Sequence, residues 1–375
     1  MEPKRLASLD ALRGIAALSI VFWHWQHFFA VGGDDAPWTR ESQPLFWLFK
    51  PLYLQGWAAV DIFFCLSGFV LFWLYADQVR EGRASAGRYA MARLARLYPL
   101  SLAMLLAAAV LQWLYWRQND DFFIYQNNDV LRFVQNLFLV QAWWGVPEQS
   151  FDGPAWAVSM EVLLYIGFFV LCRLGLKAGW GSLAIALAGA AVTFFNEHLG
   201  RALMGFFIGG CAFQVWRTLR TTQSSRRVAH ALGLATLAGW SGLFFFLYRS
   251  AGFLGGGEGN AGFLIGFDLV LCPVTVLWLA LSESSAQRSA SAPVRGLVFL
   301  GDISFSTYMI HFPLQLLLAL IASTYDIEPA FFMQAWVMGA FYAVLIVLGW
   351  LSYRFFERPA QTMIRGWGAA KSQIA

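Results

Sequence analysis

The chain has 375 residues, 59% of them hydrophobic and only 13% charged, with a formal net charge of +4. A soluble domain carries about 25% charged residues, so this composition excludes a dissolved globular protein. The small positive balance gives no reason to expect a nucleic-acid partner.

Apolar runs of roughly 20 residues, the length that crosses a hydrocarbon core about 30 Å thick, recur throughout. They predict helices over 9–30, 56–76, 94–116, 155–175, 180–196, 200–217, 228–248, 263–282, 298–321 and 331–356. Continuous apolarity without strict alternation selects helices over a barrel. The expected fold is therefore an all-α integral membrane bundle of about ten transmembrane helices, a single domain over 1–375 with no appended soluble domain. The first run already contains Arg13 and lacks a small-residue cleavage site, so it reads as a retained helix. Cys65, Cys172, Cys211 and Cys272 each lie inside an apolar run, without a CxxC pair or a His/Cys cluster. Neither a metal site nor a disulfide framework is expected.

With the amino terminus inside, most of the 26 Lys and Arg residues fall on inner pieces. Only Arg40, Lys50, Arg117, Arg132, Arg201 and Arg249 fall outside. The positive-inside rule then puts both termini in the cytoplasm. Two outer segments, 31–55 and 117–154, are long and rich in Trp, Asp, Asn and Gln.

Ionisable residues at membrane depth usually face a polar interior. In the first helix, LDALRGIAALSIVFWH, Arg13 and His24 are eleven residues apart, on nearly one face and roughly 16 Å apart along the axis. That stripe suits an elongated ligand, anionic at one end. Arg13 reads equally as a snorkelling residue and His24 as a hydrogen-bonded packing residue. Asp10 either caps this helix or pairs with Arg13. In VDIFFCLSGFVL, Asp61 lies at a depth compatible with His24, and Gly68 on its face would let another helix approach. Ser67 has no GxSxG elbow and is not a nucleophile candidate.

Arg93 and Arg96, one turn apart in RYAMARLARLYPL, offer two guanidiniums whose forks match phosphate oxygens. Ordinary inner-surface anchoring is the competing reading. Glu161 and Tyr165 share a face in DGPAWAVSMEVLLYIG, with Glu161 two turns deep. It is a candidate acid/base partner of His24, or one half of a structural salt bridge. In GDISFSTYMIHFPL, Ser304, Tyr308 and His311 fall along one side. His311 reads as a ligand contact or a satisfied core histidine, and both stay open. YRFFERP, with Arg354, Glu357 and Arg358, reads as an ion pair closing the last helix. Trp143 and Trp144 read as part of an interfacial aromatic belt.

Taken together, LDALRGIAALSIVFWH, VDIFFCLSGF, RLARLYPL, WAVSMEVLLY, GDISFSTYMIHFPL and YRFFERP, in this order over 9–359, resemble the acyltransferase-3 family of membrane-bound acyl-CoA-dependent transferases. The resemblance implies a ten-helix membrane domain with cytoplasmic ends, of the stand-alone type without an SGNH hydrolase domain. It implies O-acylation, most often O-acetylation, of extracytoplasmic carbohydrate at the bacterial inner membrane. Arg13 and His24 become essential residues, and Arg93 and Arg96 help hold the donor.

The expected scheme follows. Acyl-CoA, acetyl-CoA first, enters from the cytoplasm with its phosphates on Arg93, Arg96 and Arg13. His24 is the general base, with Glu161 or Asp61 orienting its imidazole. Tyr165, Tyr308, His311, Trp143 and Trp144 are the candidate substrate contacts. A transient acyl-His24 stays open. The partners are membrane lipid, acyl-CoA and an outer carbohydrate. The alternative is a proton-coupled transporter or flippase of a glycan or small molecule, since buried His and carboxylates also build proton relays. Against it, no repeat-related halves or matching Gly/Pro-broken helices are visible.

Overall fold

The computed structural model describes residues 5–29, 39–144, 149–249, 261–284 and 292–371. Residues 31–38 of the first outer segment therefore lie outside the described residues. Every regular element among the described residues is helical. A helix satisfies its backbone groups internally, which the apolar runs require where water is absent.

In chain order the α-helices are α1 (Ala7–His24), α2 (Phe46–Gln55), α3 (Ala59–Leu71), α4 (Asp77–Arg80), α5 (Ala86–Asn119), α6 (Val130–Leu137), α7 (Trp156–Arg173) and α8 (Trp180–Val192). There follow α9 (Glu197–Leu219), α10 (Ser225–Arg249), α11 (Ala261–Gly266), α12 (Cys272–Ser284), α13 (Ala292–Asp302), α14 (Ser304–Thr324), α15 (Ala335–Ser352) and α16 (Arg358–Lys371). Single π-helical stretches, Phe72–Ala76, Phe267–Leu271 and Tyr353–Glu357, run α3 into α4, α11 into α12 and α15 into α16.

Among the described residues, 8 helical stretches are long and apolar enough to cross a membrane. Two of the expected segments fall outside that set: α1, with Asp10 and Arg13, and α8, only 13 residues long. The segment expected as one helix over 298–321 is divided, because Ile303 at φ −94° and ψ 3° leaves the helical region between α13 and α14. Among its described residues, the segment over 117–154 is not without regular structure. It carries α6, whose first turn is capped by Asp129 accepting the Arg132 N–H at 2.8 Å.

The chain divides into two compact units. The first takes Met1–Ala17, Trp57–Ser85 and Leu163–Asp302. Its centre is the seam between α3 and α9, where glycines remove the side chains that would separate the helices. A Cβ on Gly68 would lie 1.8 Å from the Phe206 carbonyl oxygen, and one on Gly209 2.1 Å from that of Cys65. Small residues let membrane helices approach to backbone contact in this way. The start of α1 is held by Glu283 of α12, whose carboxylate accepts the Ala7 and Ser8 N–H groups, each at 2.8 Å. Those donors have no partner inside the helix, and a negative charge there complements its dipole.

The second unit takes Leu18–Gly56, Ala86–Val162 and Ile303–Ala375. Here α14 packs on α5 and α15, and α16 packs on α5. After His24 the chain tightens into a 3₁₀ turn, Trp25–Phe29. The Trp25 indole N–H donates to the Phe332 carbonyl at 3.0 Å, and Phe28 stacks on the Phe332 ring at 4.1 Å. Side chains hold the described parts of 117–154 in place. Gln112 of α5 bonds both the N–H and the carbonyl of Phe123 at 2.9 Å. Asn136 of α6 donates to Ser150 at 3.0 Å.

Candidate functional site

The end of α1 and the face of α14 bring three histidines together in the second unit. His24 is the last residue of α1, where the chain passes into the 3₁₀ turn Trp25–Phe29. Gln315 of α14 donates from Nε2 to the His24 backbone carbonyl at 2.9 Å. The same amide turns its Oε1 towards His27 Nδ1 at 3.2 Å. One turn earlier on α14, His311 Nε2 lies 2.9 Å from His24 Nδ1. The two imidazole rings are 4.9 Å apart, and the His27 ring is also 4.9 Å from that of His24.

Tyr308, His311 and Gln315 line one face of α14 because spacings of three and four residues return to the same side. Pro313, inside this helix, has no N–H to give, so one intrahelical bond is missing beside the site. His311 Nδ1 hydrogen-bonds the Tyr308 carbonyl, and the Tyr308 hydroxyl donates to the Pro154 carbonyl at the start of α7. His24 is half-buried, whereas His311 and Gln315 are fully enclosed. Phe123, Tyr125 and Phe312 present ring edges and faces around His27.

The remaining predicted residues are placed as follows. Glu161 is half-buried on α7, and Arg93 and Arg96 are half-buried on α5. Glu357 lies within electrostatic range of Arg96, and its carboxylate accepts hydroxyls from Ser306 and Ser352. The YRFFERP carboxylate thus joins α14 to the last helices, a different bond from the expected one with its neighbouring arginines. The Trp143 indole donates to the Ser159 carbonyl at 3.0 Å, while Trp144 is 73% exposed. Tyr165 is buried in the first unit.

Asp61 also belongs to the first unit, where Arg201 of α9 holds its carboxylate at 3.0 and 3.3 Å. Arg13 pairs with Asp10 at 2.8 Å, and Asp10 also receives Arg5, which reaches on to Asp302. Asp10 is therefore the partner of Arg13, and Glu283 is the cap.

Sequence reasoning did not single out His27, Gln315 or Arg201. His27 repeats an imidazole three residues after His24, and Gln315 interrupts the run FPLQLLLAL; either is a polar residue where only apolar ones are expected. The charge pattern puts Arg201 in an outer piece, whereas it is 1% exposed inside α9. Asp152 is another such residue: it is buried, neither carboxylate oxygen has a hydrogen-bond partner, and burial pushes its acid well above the usual carboxylate range.

Among the described residues no group of three or more His, Cys, Asp or Glu is arranged to hold a metal ion. A cavity of about 260 Å³ in the second unit is lined by Phe28, Tyr115, Ser323, Asp326 and Phe332 among others, and none of the three histidines lines it. The chemistry available lies with the imidazole pair, which can take up a proton at one ring and share the charge with the next.

Residues 6–355 match the family described as an acyltransferase domain. A Streptomyces mycarofaciens protein named Acyltransferase MdmB is 28% identical over 349 residues, covering 83% of this chain and 80% of that protein. A Rhizobium radiobacter protein named Protein 2 in picA locus is 41% identical over 114 residues, 30% of this chain and 49% of that protein. The chain thus spans about half the length of the latter relative. No solved structure matches.

Proposed function

Given that the chain belongs to the acyltransferase-3 family and is a multi-pass membrane acyltransferase, we propose that it moves an acyl group, acetyl in the first instance, from cytoplasmic acyl-CoA to a hydroxyl of an extracytoplasmic carbohydrate. The observation that carries this reading is the half-buried His24 imidazole, held from behind by His311 at 2.9 Å. A general base needs an accessible ring nitrogen and a partner that fixes the ring, and such help is typically worth 10²–10⁴-fold. His24 takes the proton of the acceptor hydroxyl while the oxygen attacks the thioester carbonyl.

Arg93 and Arg96 hold the donor phosphates, for which guanidinium forks are suited. Glu161 is the carboxylate assigned to compensating the charge that His24 acquires. We give Asp61 a structural part, since Arg201 already engages it. Trp144, exposed on the second outer segment, is the assigned sugar platform. The inner bacterial membrane, with both termini in the cytoplasm, is the location this scheme requires.

The test uses purified protein in lipid nanodiscs with radiolabelled acetyl-CoA and a carbohydrate acceptor mixture. Release of free coenzyme A with label on carbohydrate, lost in His24→Ala at equal protein yield, is the expected result. Movement of a glycan across the membrane without thioester consumption would instead establish the transporter. Retained transfer in His24→Ala would remove His24 from the chemistry.

A further inference from the structure

A histidine acts as a base only through the ring nitrogen that carries no hydrogen, and the hydrogen bonds around His24 select which one that is. His311 Nδ1 faces the Tyr308 carbonyl. A carbonyl can only accept, so His311 Nδ1 carries a proton. None of the hydrogen bonds described for either imidazole goes to a carboxylate. His311 is 0% exposed, and a lone cation enclosed there is strongly disfavoured, so the resting ring is neutral. Its Nε2 is then a bare acceptor, and the group 2.9 Å away, His24 Nδ1, is the donor. This leaves the lone pair of His24 on Nε2.

We infer that His311 is a positioning residue. It holds His24 in the Nδ1–H tautomer, so that His24 Nε2 faces the acceptor hydroxyl as a free base, and it shares the positive charge that arrives there. The inference rests on the reading of His24 as general base.

The step balances as follows. The acceptor O–H bond breaks and its proton forms an N–H bond with the Nε2 lone pair, making His24 an imidazolium. The freed oxygen pair attacks the thioester carbonyl, the C–S bond breaks, and the departing thiolate takes the proton back from His24 Nε2. Between these events the Nδ1 proton of His24 leans towards His311 Nε2, so the charge spreads over two rings. His311 keeps its own Nδ1 proton, donated to the Tyr308 carbonyl, throughout. Where a carboxylate plays this part behind a catalytic histidine, replacing it so that the wrong tautomer is favoured lowers kcat by about 10⁴.

Gln315 makes the arrangement directional. Its Nε2 donates to the His24 carbonyl, which fixes its Oε1 towards His27. The amide thus pins the backbone of His24 while His311 sets its ring. Two further features support a built device: His311 and Gln315 are both 0% exposed, and both sit on the same face of α14 as Tyr308.

The test combines turnover with a spectroscopic signature. The chain has only 5 histidines, so nitrogen-15 histidine labelling gives a spectrum that single substitutions can assign. In the substrate-free protein, His24 is expected to show a protonated Nδ1 and an unprotonated Nε2. His311→Leu should lose that pattern and lower kcat by about a hundredfold or more, with KM for donor and acceptor changed only slightly. His311→Gln, whose side-chain oxygen reaches the position of the lost Nε2, should recover both the tautomer and most of kcat. A protonated Nε2 on His24 in the unaltered protein overturns the inference, as does an unchanged tautomer in His311→Leu. Should His311→Leu not fold, the unaltered protein and His311→Gln still decide the matter. Failure of the underlying reading looks different: His24→Ala would keep transferring acyl groups whatever tautomer the spectrum shows.

Discussion

Arg201 grips Asp61 through two nitrogens, at 3.0 and 3.3 Å, with both side chains at most 1% exposed and the guanidinium stacked 4.6 Å from the Trp57 ring. Breaking such a pair by removing one partner leaves an uncompensated buried charge and costs about 3–5 kcal/mol, whereas apolar replacement of both is often neutral. Asp61→Ala should therefore lower the melting temperature and the yield of folded protein. Adding Arg201→Met to it should recover part of that loss and, with it, thioester turnover, the remainder being set by Glu197, which also pairs with Arg201 at 3.3 Å. A double variant that folds normally yet turns over no thioester would return Asp61 to the chemistry.

How much of this was legible in the sequence differs by kind of feature. Helices follow from continuous apolarity, and Gly68 was readable as a close-approach site because a glycine on the face of a membrane helix has few other uses. The break at Ile303 was not readable, since FLGDISF differs little in hydropathy from the helix on either side. His24 and His311 each stand out as ionisable residues in apolar runs. Their hydrogen bond does not, because it joins positions 287 residues apart. Glu161 is readable as a candidate partner because it is a carboxylate in an apolar run. The imidazole and the amide that α14 brings to His24 are not, since both come from far along the chain. The burial of Arg201 is not legible, because Asn196 and Glu197 beside it make the start of α9 look like a surface turn.

Arg93 and Arg96 yield a prediction that separates donor binding from chemistry. A hydrogen bond to a charged group contributes about 1.5–3 kcal/mol, so each arginine lost from a phosphate should weaken binding by about tenfold or more. Acetyl-CoA binding, measured by calorimetry on the detergent-purified protein, should be weaker in Arg93→Ala/Arg96→Ala, while kcat at saturating donor falls much less. Unaltered donor affinity in a folded double variant would reduce both residues to inner-surface anchors.

Asp152 predicts a pH dependence of stability. Burial raises its acid in the folded state, so the fold prefers the neutral carboxyl. The corresponding stabilisation is fully present below the unfolded-state pKa and is lost as pH rises through the folded-state value. Asp152→Asn keeps the shape of the neutral acid and cannot ionise. Its melting temperature should exceed that of the unaltered protein on the alkaline side, with the difference shrinking as pH falls. Parallel melting curves across the whole range would show that Asp152 does not set this slope.

The seam between α3 and α9 predicts that one substitution changes sign with position. Replacing glycine by alanine inside a helix ordinarily stabilises it by about 0.4–1 kcal/mol, because the unfolded chain loses freedom. Gly167 on α7 has open space where a Cβ would go, with nothing within 4 Å, so Gly167→Ala should show that gain. At Gly209 the same Cβ would lie 2.1 Å from the Cys65 carbonyl oxygen and 2.9 Å from the Phe69 nitrogen. Both obstacles are backbone, which cannot swing aside as a side chain does, so α3 and α9 must separate. The separation also pulls on Asp61 and Arg201, which face each other across the same two helices. Gly209→Ala should accordingly melt at a lower temperature than the unaltered protein, and Gly209→Val at a lower one still. Equal gains at Gly167 and Gly209 would mean that the two helices are not in backbone contact there.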